Sequence, residues 1–404
     1  MAVVKKQIEI LVSKPGGEFI KTWKDFVFRG FTSEINAGPG ECVIDLPLDF
    51  DYGGIDVNPG NDVEIRISDR DTLVQETGDA VRTITIYKGY ISLIERNIEG
   101  EKEYVTVHML GYYTLLAMDI LKDAAQTTLY SKATDGLTTV VGDQSAADVG
   151  LMMRTVIDRY RDENLNPKIN YIASDIPDTG NDATYSFEQK TYREAMDILK
   201  KMAPVGTFYF VDRNGMVSFK TKSATPDHKF IFGRHFNKIQ IANSLEKTRN
   251  FYLLWNYETG GGKVYKHYED AASVQQYGRR IYAENDAGID SEATADSVGA
   301  NFIADSKDPE IKVVCSILDN NGNENGYDIE SIQPGDTCSF YGFANNMSEL
   351  FRDNMLITKV DYQLDKVEIT VEVIKSGMVD WQDRQGKEIK QINTGAMLVP
   401  ESYS

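Results

Sequence analysis

Short segments in which apolar and polar residues alternate dominate the first 115 residues of the chain. They cover residues 6–12, 43–48, 63–67, 83–87, 90–94 and 104–109. Successive side chains of a strand point to opposite faces, so this alternation predicts strands that are buried on one face. Turn-forming pairs such as Pro39-Gly40 and Pro59-Gly60 separate the segments. Several short strands at this spacing favour a closed or nearly closed barrel, because closure removes exposed edges.

The period changes to that of helices between residues 119 and 225. Ser145, with Asp148 three residues later, predicts the start of a helix. Its apolar positions recur at helical spacing at Val149, Met152, Met153, Val156, Ile157 and Tyr160. Thr191 followed by Glu194 predicts a second helix that begins with a capping box. The buried stripe of this helix is expected at Ala195, Met196, Ile198, Leu199 and Met202.

Pro204 and Gly206 end the second helix, because proline cannot continue the backbone hydrogen bonding. Residues 207–211 and 216–220 then predict a hairpin, with a turn at Asp212-Arg213-Asn214-Gly215. Asn-Gly is a good hairpin signal, since both residues tolerate positive φ. The segment therefore has the pattern of a small α/β module.

Strands return between residues 226 and 376, together with one helix. Asp290 or Ser291 is expected to cap this helix, which ends before Pro309. Its inward residues are Ala295, Val298, Phe302 and Ile303, and the strands that follow are predicted at 311–318, 337–341, 355–362 and 366–374. Residues 377–404 are polar without a clear period and are expected to be extended or docked on a partner.

A weak internal repeat is the most informative feature of the sequence. The segment VNPGNDVEIRI (57–67) resembles IQPGDTCSF (332–340), since each places Pro-Gly in a turn before a short strand. GYISLIERNIEGEKEYVTVHML (89–110) likewise resembles MLITKVDYQLDKVEITVEVI (355–374), a strand, a polar turn and a second alternating strand. The two matches have nearly the same spacing along the chain, and they agree within a small deletion.

The predicted fold class is mainly β with α+β, in which two similar β-barrel domains flank a small α/β module. The predicted domains are a first barrel at 1–118, the inserted module at 119–225, a second barrel with one helix at 226–376 and a tail at 377–404. If the repeat is real, the two barrels are copies of one unit.

The charge argues against nucleic-acid binding. The chain has 404 residues, of which 41% are hydrophobic and 26% charged, values typical of soluble globular proteins. Lys and Arg number 43 against 62 Asp and Glu, giving a net charge of −19. DNA binding depends mainly on clustered cations, and no such stripe is present. An acidic surface instead lets a polyanion pass without sticking.

The sequence shows no targeting or disulfide pattern. No apolar run is long enough to span a bilayer, and charged residues interrupt the first 12 positions, so no secretory signal is expected there. Cys42, Cys315 and Cys338 are far apart, without metal-ligand spacing. We expect reduced thiols, synthesis in a reducing cytosol and small apolar roles for all three.

Motifs for catalysis, cofactors or metals are absent, so we predict no enzyme activity, no cofactor, and no catalytic or metal site. The histidines (His108, His228, His235 and His267) form no zinc pattern, and His108 is expected to be a structural residue of a strand. No nucleophile elbow or phosphate loop occurs; Gly260-Gly261-Gly262 followed by Lys263 is better interpreted as a flexible turn.

Two groups of carboxylates are weak candidates for function. Asp45, Asp49, Asp51 and Asp56 surround Tyr52 and could line a sugar cleft, although a solvated loop is the simpler interpretation. The segment 319–330 places oxygen ligands at positions 1, 3, 5 and 12 of a calcium loop, but Glu324 stands where glycine is required. We therefore expect a polar hairpin loop there. The 22 tyrosines suit either interfaces or sugar binding.

The order of several segments resembles the hub proteins of bacteriophage baseplates and tail tips and of related contractile injection systems. Two stretches are similar to the strand–hairpin and helix–hairpin segments of these hub proteins: YKGYISLIERNIEGEKEYVTVHMLGYYTLL (87–116) and TYREAMDILKKMAPVGTFYFVDRNGMVSF (191–219). Two more stretches resemble the Tyr-Gly-Arg segment and the Pro-Gly-Asp turn of these hub proteins: VQQYGRRIYAENDAGIDSEATADSVGANFIADSKDPEIKVVCSI (274–317) and DIESIQPGDTCSF (328–340). Together these cover most of residues 40–375.

The resemblance implies a structural virion protein that forms a homotrimeric ring, with two barrels from each chain giving six similar units. Such a ring would join a hexameric tail tube or distal tail protein to a central spike or fibre, and genomic DNA would pass through its channel during ejection without specific binding. An acidic channel would keep DNA from adhering. We expect the chain to lack the long C-terminal extension of larger family members, which leaves receptor binding and wall digestion to other subunits.

Two alternatives remain open at this point. A tail-associated cell-wall hydrolase, either glycosidase or peptidase, would require a carboxylate pair or a His/Cys dyad in a cleft. A carbohydrate-binding adhesin would require exposed tyrosine and tryptophan side chains that form a sugar-sized platform.

Overall fold

The alternating segments of the sequence form strands, and most of these hydrogen-bond into one large sheet. The computed structural model describes residues 5–47, 57–70, 83–99, 102–121, 147–185, 187, 190–259, 262–286, 288–289, 291–319, 327–342 and 354–372. The carboxylates Asp49, Asp51 and Asp56, most of the candidate calcium loop and the tail at 377–404 lie outside these residues.

The strands and helices fall into three blocks along the chain. The strands of the first block are β1 (Lys5–Ser13), β2 (Phe19–Trp23), β3 (Val27–Glu34), β4 (Pro39–Pro47), β5 (Asp62–Arg70), β6 (Thr83–Glu99) and β7 (Lys102–Gly111). The second block holds β8 (Ala147–Asp148), α1 (Val149–Glu163), β9 (Asn170–Tyr171), β10 (Asp182–Ala183), α2 (Tyr192–Met202), β11 (Thr207–Val211) and β12 (Met216–Thr221).

The third block begins with β13 (His228–Ile231), β14 (Ile239–Ser244), β15 (Phe251–Thr259), β16 (Gly262–Glu269), α3 (Ala271–Tyr277), β17 (Ile281–Asn285) and α4 (Glu292–Ser306). It ends with β18 (Glu310–Leu318), β19 (Thr337–Tyr341), β20 (Met355–Tyr362) and β21 (Lys366–Glu372). Single 3-10 turns occur at Tyr112–Ala117, Ala173–Asp175 and Ile329–Ser331.

The large sheet has 13 strands, with the path β14-β18-β21-β20-β3-β4-β7-β6-β5-β1-β2 and a branch in which β19 joins β20 and β13 joins β19. The mainly β character predicted from the sequence is confirmed. Among the described strands this path stays open at both ends rather than closing into barrels. The two-barrel arrangement and the domain limits at 118, 225 and 376 therefore stay predictions.

Two hydrophobic cores organise the molecule. The first lies under the large sheet and combines side chains from both ends of the chain, such as Ile44, Val107, Val313 and Ile369. The second is built by α1, α2 and the hairpin β11–β12, and it also includes Tyr252 of β15 and residues of α4. Burial of apolar area at about 25 cal/mol per Å² is the main stabilising contribution of each core.

Several local predictions are confirmed residue by residue. Thr191 accepts a hydrogen bond from the Glu194 backbone while the Glu194 carboxylate bonds the Thr191 backbone, which completes the capping box. The hairpin after Pro204 has the predicted strands, and Gly215 supplies the positive φ of its turn (77°). Ser291 caps α4 by accepting from the Thr294 backbone.

Other local predictions need correction. The segments predicted as separate strands at 83–87 and 90–94 form the single strand β6, and Gly89 at its centre approaches β7 so closely that a Cβ would lie 2.1 Å from the Leu110 carbonyl oxygen. Strand β3 was not predicted, because irregularities on both sides of Phe31 break its alternation. The short helix α3 was also missed, since it buries only Ser273.

The N-cap of α1 is Asp148, whereas the sequence analysis placed the helix start at Ser145, which lies outside the described residues. One Asp148 oxygen accepts from the backbone of Gly150 (2.7 Å) and Leu151 (3.3 Å). The other accepts from the backbone of Thr179 (2.9 Å) and Gly180 (2.8 Å), and so attaches a neighbouring loop to the helix. Partial burial disfavours the charged carboxylate, but these backbone donors outweigh it and lower the pKa of Asp148.

We expect Asp148→Asn to lower the free energy of unfolding by about 1–2 kcal/mol at neutral pH, because an amide cannot accept from all four donors. A depressed folded-state pKa contributes stability above the unfolded pKa, and this contribution is lost as the pH falls through the folded value. The difference between wild type and variant should therefore shrink below about pH 4. Denaturant titrations at several pH values measure it.

The variant Asp175→Asn serves as the matched control, since this partly exposed carboxylate lies on a nearby turn without these backbone donors. An equal loss for both variants, or a loss for Asp148→Asn that does not change with pH, would contradict the capping role.

Candidate functional site

Two equivalent turns connect the sequence repeat to the structure. The backbone N–H of Asn58 donates to Asn61 Oδ1 (2.6 Å), and the N–H of Gln333 donates to Asp336 Oδ2 (2.8 Å). Gly60 and Gly335, which close these turns, have φ values of 92° and 89°. Only glycine adopts this conformation without strain, which explains why both turns carry Pro-Gly. The alignment of the two Pro-Gly pairs predicted from the sequence is therefore matched by geometry.

The same turns dock on equivalent strands. Gly60 N–H donates to the carbonyl of Ile91 (2.7 Å), and the Ile91 N–H donates to the carbonyl of Asn61 (2.9 Å). In the second copy Gly335 N–H donates to Ile357 (2.8 Å), whose N–H donates to the carbonyl of Asp336 (2.9 Å). Ile91 and Ile357 are also the positions that the second sequence match aligns.

Strand registers repeat as well. The pair β6–β7 has a bulge between Ile91 and Leu93, and β20–β21 has one between Ile357 and Lys359. The pairing order of the five strands β3-β4-β7-β6-β5 corresponds to that of β14-β18-β21-β20-β19. The pair Val43–His108 in the first set matches Val314–Thr370 in the second, and the pair Asp62–Tyr90 matches Thr337–Leu356. We call these two sets of strands repeat 1 and repeat 2.

The outer strands of the repeats differ. Strand β1 pairs with β5 antiparallel, whereas β13 pairs with β19 in parallel. The equivalence therefore covers five strands, although β3 has two register shifts against β4 that β14 lacks against β18. Sequence alone missed β3 and β14, so it could not show this extent.

A direct strand pairing joins the two repeats into one sheet. Residues Phe31 to Glu34 of β3 pair antiparallel with Tyr362 to Lys359 of β20, just beyond the bulge. The Ile35 N–H extends this ladder to the Thr358 carbonyl (2.9 Å), and the Thr32 hydroxyl donates to the Asp361 carboxylate. We call this pairing the inter-repeat joint.

Each repeat also has a strand edge that is equivalent to one of the two edges in the joint, and these two edges pair with no described strand. Among the described strands, β14 pairs only with β18, and beyond Ile91 the strand β6 pairs only with β7. Apolar side chains are exposed along this part of β6, including Leu93 (46%) and Ile98 (75%). A bare strand edge with exposed apolar residues favours pairing with another strand.

One face of the sheet is polar across both repeats. Alternation places inward residues in the first core and the opposite set on an outward face, as in the pattern of β21, where Val367, Ile369 and Val371 are buried. Carboxylates on this outward face outnumber lysine and arginine. The carboxylates are Glu34, Glu41, Asp45, Asp62, Glu64, Glu95, Glu310, Asp361, Glu368 and Glu372, and the cations are Arg29, Arg66, Lys88, Lys312, Lys359 and Lys366. We call it the acidic face.

The histidines lie in two kinds of environment. His108 is half-buried on the acidic face between Glu41 (2.6 Å) and Glu95 (3.4 Å), within the strand where the sequence placed it. His228 bonds both Tyr327 (2.6 Å) and Asp336 (2.9 Å), so it supports the Pro-Gly turn of repeat 2. Burial lowers the pKa of His235.

The remaining candidates do not assemble into a catalytic cleft among the described residues. Asp45 pairs with Arg29 (2.6 Å), and Glu330 is buried in the core where Tyr362 donates to it (3.1 Å). The three cysteines are buried and reduced, and burial raises the pKa of each thiol. A cleft of about 720 Å³ between the sheet and α2 is lined by charges that pair with each other, such as Lys200 with Asp305 (3.5 Å).

No described group of three or more His, Cys, Asp or Glu side chains converges as a metal site would require. Among the helices within the described ranges, none combines the length and apolar character needed to cross a membrane. The glycine run at 260–262 joins β15 to β16, and its first two residues lie outside the description.

A second exposed feature lies on the small sheet of β15, β16 and β17. Trp255 and Tyr265 stand directly opposite each other on neighbouring strands, and 45% and 75% of their surfaces are exposed. Their strand neighbours Tyr252 and Leu254 point the other way, into the second core. This aromatic pair is the exposed tyrosine–tryptophan arrangement that the adhesin alternative requires.

Comparison with known proteins identifies the fold. No protein-family model matches the chain, and no curated protein sequence matches it significantly. The 43 kDa tail protein of prophage MuSo2 from Shewanella oneidensis is similar in structure, with a TM-score of 0.57 and 14% identity over 91% of this chain and 98% of that protein.

Two further phage-type proteins are also similar. A prophage tail protein, gp18, from Listeria monocytogenes gives a TM-score of 0.51 with 11% identity, covering 95% of this chain and 99% of its own. A tail protein from Neisseria meningitidis gives 0.54 with 9% identity, covering 91% and 96%. The chain therefore has the fold of phage tail proteins, and the resemblance seen in the sequence is confirmed at the level of fold.

Proposed function

We propose that the protein is a structural hub subunit of a phage tail tip or baseplate, in which three copies form a ring with pseudo-six-fold symmetry. The observation that carries the proposal is the duplication of five strands with matching registers inside one sheet. Two equivalent units in each chain allow three copies to present six similar units. The tail-protein fold supports the same role.

This arrangement solves a mismatch of symmetry. A tail tube built from hexamers presents six equivalent sites, whereas a central spike or fibre with three-fold symmetry presents three. A trimer of duplicated subunits matches both, because six repeats face one side and three sets of unduplicated elements face the other. The partners are then the tube or distal tail protein and the spike, fibre or other baseplate proteins, all within the virion.

The role is structural and not enzymatic in this proposal. His108 is held between two carboxylates on a sheet face rather than in a cleft, and the thiols are buried in the core. These contacts suit an assembly subunit. The three buried thiols also fit synthesis in a reducing host cytoplasm.

The first prediction for this role is a defined ring. Purified protein, alone or with its tube protein, should show a light-scattering mass of three chains. Negative-stain images of the same fraction should show an open channel surrounded by six similar lobes. A chain that stays monomeric together with its tube neighbour would overturn the hub.

The acidic face is proposed to line the channel. Its excess of carboxylates would repel DNA phosphates, so the genome would pass without adhering. The test is a quadruple variant that carries Glu41→Lys, Glu95→Lys, Glu368→Lys and Glu372→Lys. It should therefore bind a short DNA duplex at low salt with about tenfold higher affinity than a matched control, and this affinity should fall steeply as salt is added. Fluorescence anisotropy on the assembled ring measures this binding.

The control carries lysine at the exposed positions Glu18, Glu246, Glu269 and Glu292, which changes the net charge equally but lies off the acidic face. Equal affinities of both variants would show that overall charge alone acts, and would remove this face as the channel lining.

The aromatic pair favours carbohydrate binding as a second candidate function. Exposed tyrosine and tryptophan side chains offer an apolar ring face beside a polar group, and a sugar ring presents the same combination. If the pair binds sugar, a glycan array should show binding that Trp255→Ala abolishes and Phe19→Ala, at another exposed aromatic residue, preserves. Absence of glycan binding by the assembled ring would remove this candidate.

A further inference from the structure

We propose that neighbouring copies of the chain join by pairing β14 of one copy with the outer half of β6 of the next, in the register of the inter-repeat joint. This inference rests on the proposed ring and assigns its interface. Repeat 1 contributes β3 to the joint and repeat 2 contributes β20. The equivalents of these strands, β14 and the outer half of β6, each have an edge without a described partner strand.

The alignment of the repeats fixes the register. Phe31 lies opposite Cys42, and Ile241 lies opposite Val313, the equivalent of Cys42, so Phe31 corresponds to Ile241. On the partner strand the matched bulges align Tyr362 with Arg96. Because Tyr362 pairs with Phe31 in the joint, Arg96 pairs with Ile241 of the neighbouring copy, Glu95 with Ala242 and Ile94 with Asn243.

The side chains at the two edges suit this pairing. In the joint the small polar residue Ser33 lies opposite the apolar Val360, and the equivalent pair Asn243 and Ile94 again places a polar residue opposite an apolar one. Val360 is only 3% exposed because β3 covers it, whereas Ile94 on the open edge is partly buried. A neighbouring β14 would cover Ile94 in the same way, and the exposed Leu93 lies beside it.

A second copy is the occupant that these edges specify. The in-chain joint pairs the equivalents of these two edges antiparallel, and the same strand direction and register fit the second copy. The edges lie on different repeats, so the contact is head-to-tail and its repetition gives a closed ring or an open filament. Alternation of joint and interface would then continue the sheet from copy to copy.

Disulfide trapping tests the register directly. The double variant Glu95→Cys with Ala242→Cys should form cross-links between copies on mild oxidation, because directly opposite residues have Cβ atoms near disulfide distance. In a closed ring of three, non-reducing electrophoresis should show covalent trimers. The native cysteines are buried, so they give little background.

Two controls use the same chain. Thr32→Cys with Asp361→Cys places the pair in the inter-repeat joint, and it should oxidise within one chain. Glu95→Cys with Gln240→Cys moves one thiol two residues along the same face of β14, about 7 Å away, beyond the reach of a disulfide. Its yield of cross-linked trimer should be about tenfold lower than that of the matched pair.

The outcomes separate this inference from the ring itself. A trimeric mass without cross-links, while the in-chain control oxidises, would overturn the assigned edges and leave the ring standing. A monomeric mass would overturn the ring and the interface with it. Equal cross-linking of the matched and shifted pairs would overturn the register, whereas covalent species longer than trimers would support the pairing and overturn closure.

Discussion

Backbone pairing between β3 and β20 holds residues from opposite ends of the chain in one sheet. Thr32 and Asp361, which touch across this joint, are separated by 329 positions in sequence. Phe31 and Tyr362 stack beneath it with ring centroids 5.2 Å apart, and Tyr87 of β6 lies equally close to Phe31. The first hydrophobic core is continuous for this reason, and every relation between the two repeats follows from it.

The helical module, formed by α1, α2 and the hairpin β11–β12, contacts both repeats beside the same joint. Arg213, in the turn between β11 and β12, donates to the carbonyls of Thr85 in repeat 1 and Glu330 beside repeat 2, each at 3.0 Å. Burial lowers the pKa of this guanidinium, although nearby acids oppose the shift. One side chain thus contacts all three parts of the molecule. A rigid relation between the repeats is what a subunit with two equivalent faces requires.

Sequence analysis predicted the elements whose signals are local. The capping box at Thr191, the turn at Gly215 and the strand of alternating residues after Ile311 depend only on neighbours in the chain, and all three occur as expected. Strands β3 and β14 escaped, because the first is irregular around Phe31 and the second is short and half exposed. Both are defined by their partner strands rather than by their own pattern.

The candidate surfaces were less predictable for the same reason. Pro-Gly turns revealed that the chain contains a repeat, but pairing of β3 with β20 depends on contacts between opposite ends of the chain, which no short window records. The opposition of Trp255 and Tyr265 likewise depends on the register of a hairpin whose turn contains a run of glycines. Absence of catalytic motifs, in contrast, could be read from residue types alone.

The distance in sequence across the joint has a consequence for biosynthesis. A ribosome completes β3 early, but its partner β20 emerges only after the helical module and most of the third block have been translated. Until then the edge of β3 is an open template for other strands, and non-local pairing of this kind forms slowly. Domains synthesised first generally fold first, so the N-terminal strands and the helical module wait in a partly assembled state. Premature termination before β20 would leave that edge permanently exposed and favour aggregation of the truncated chain.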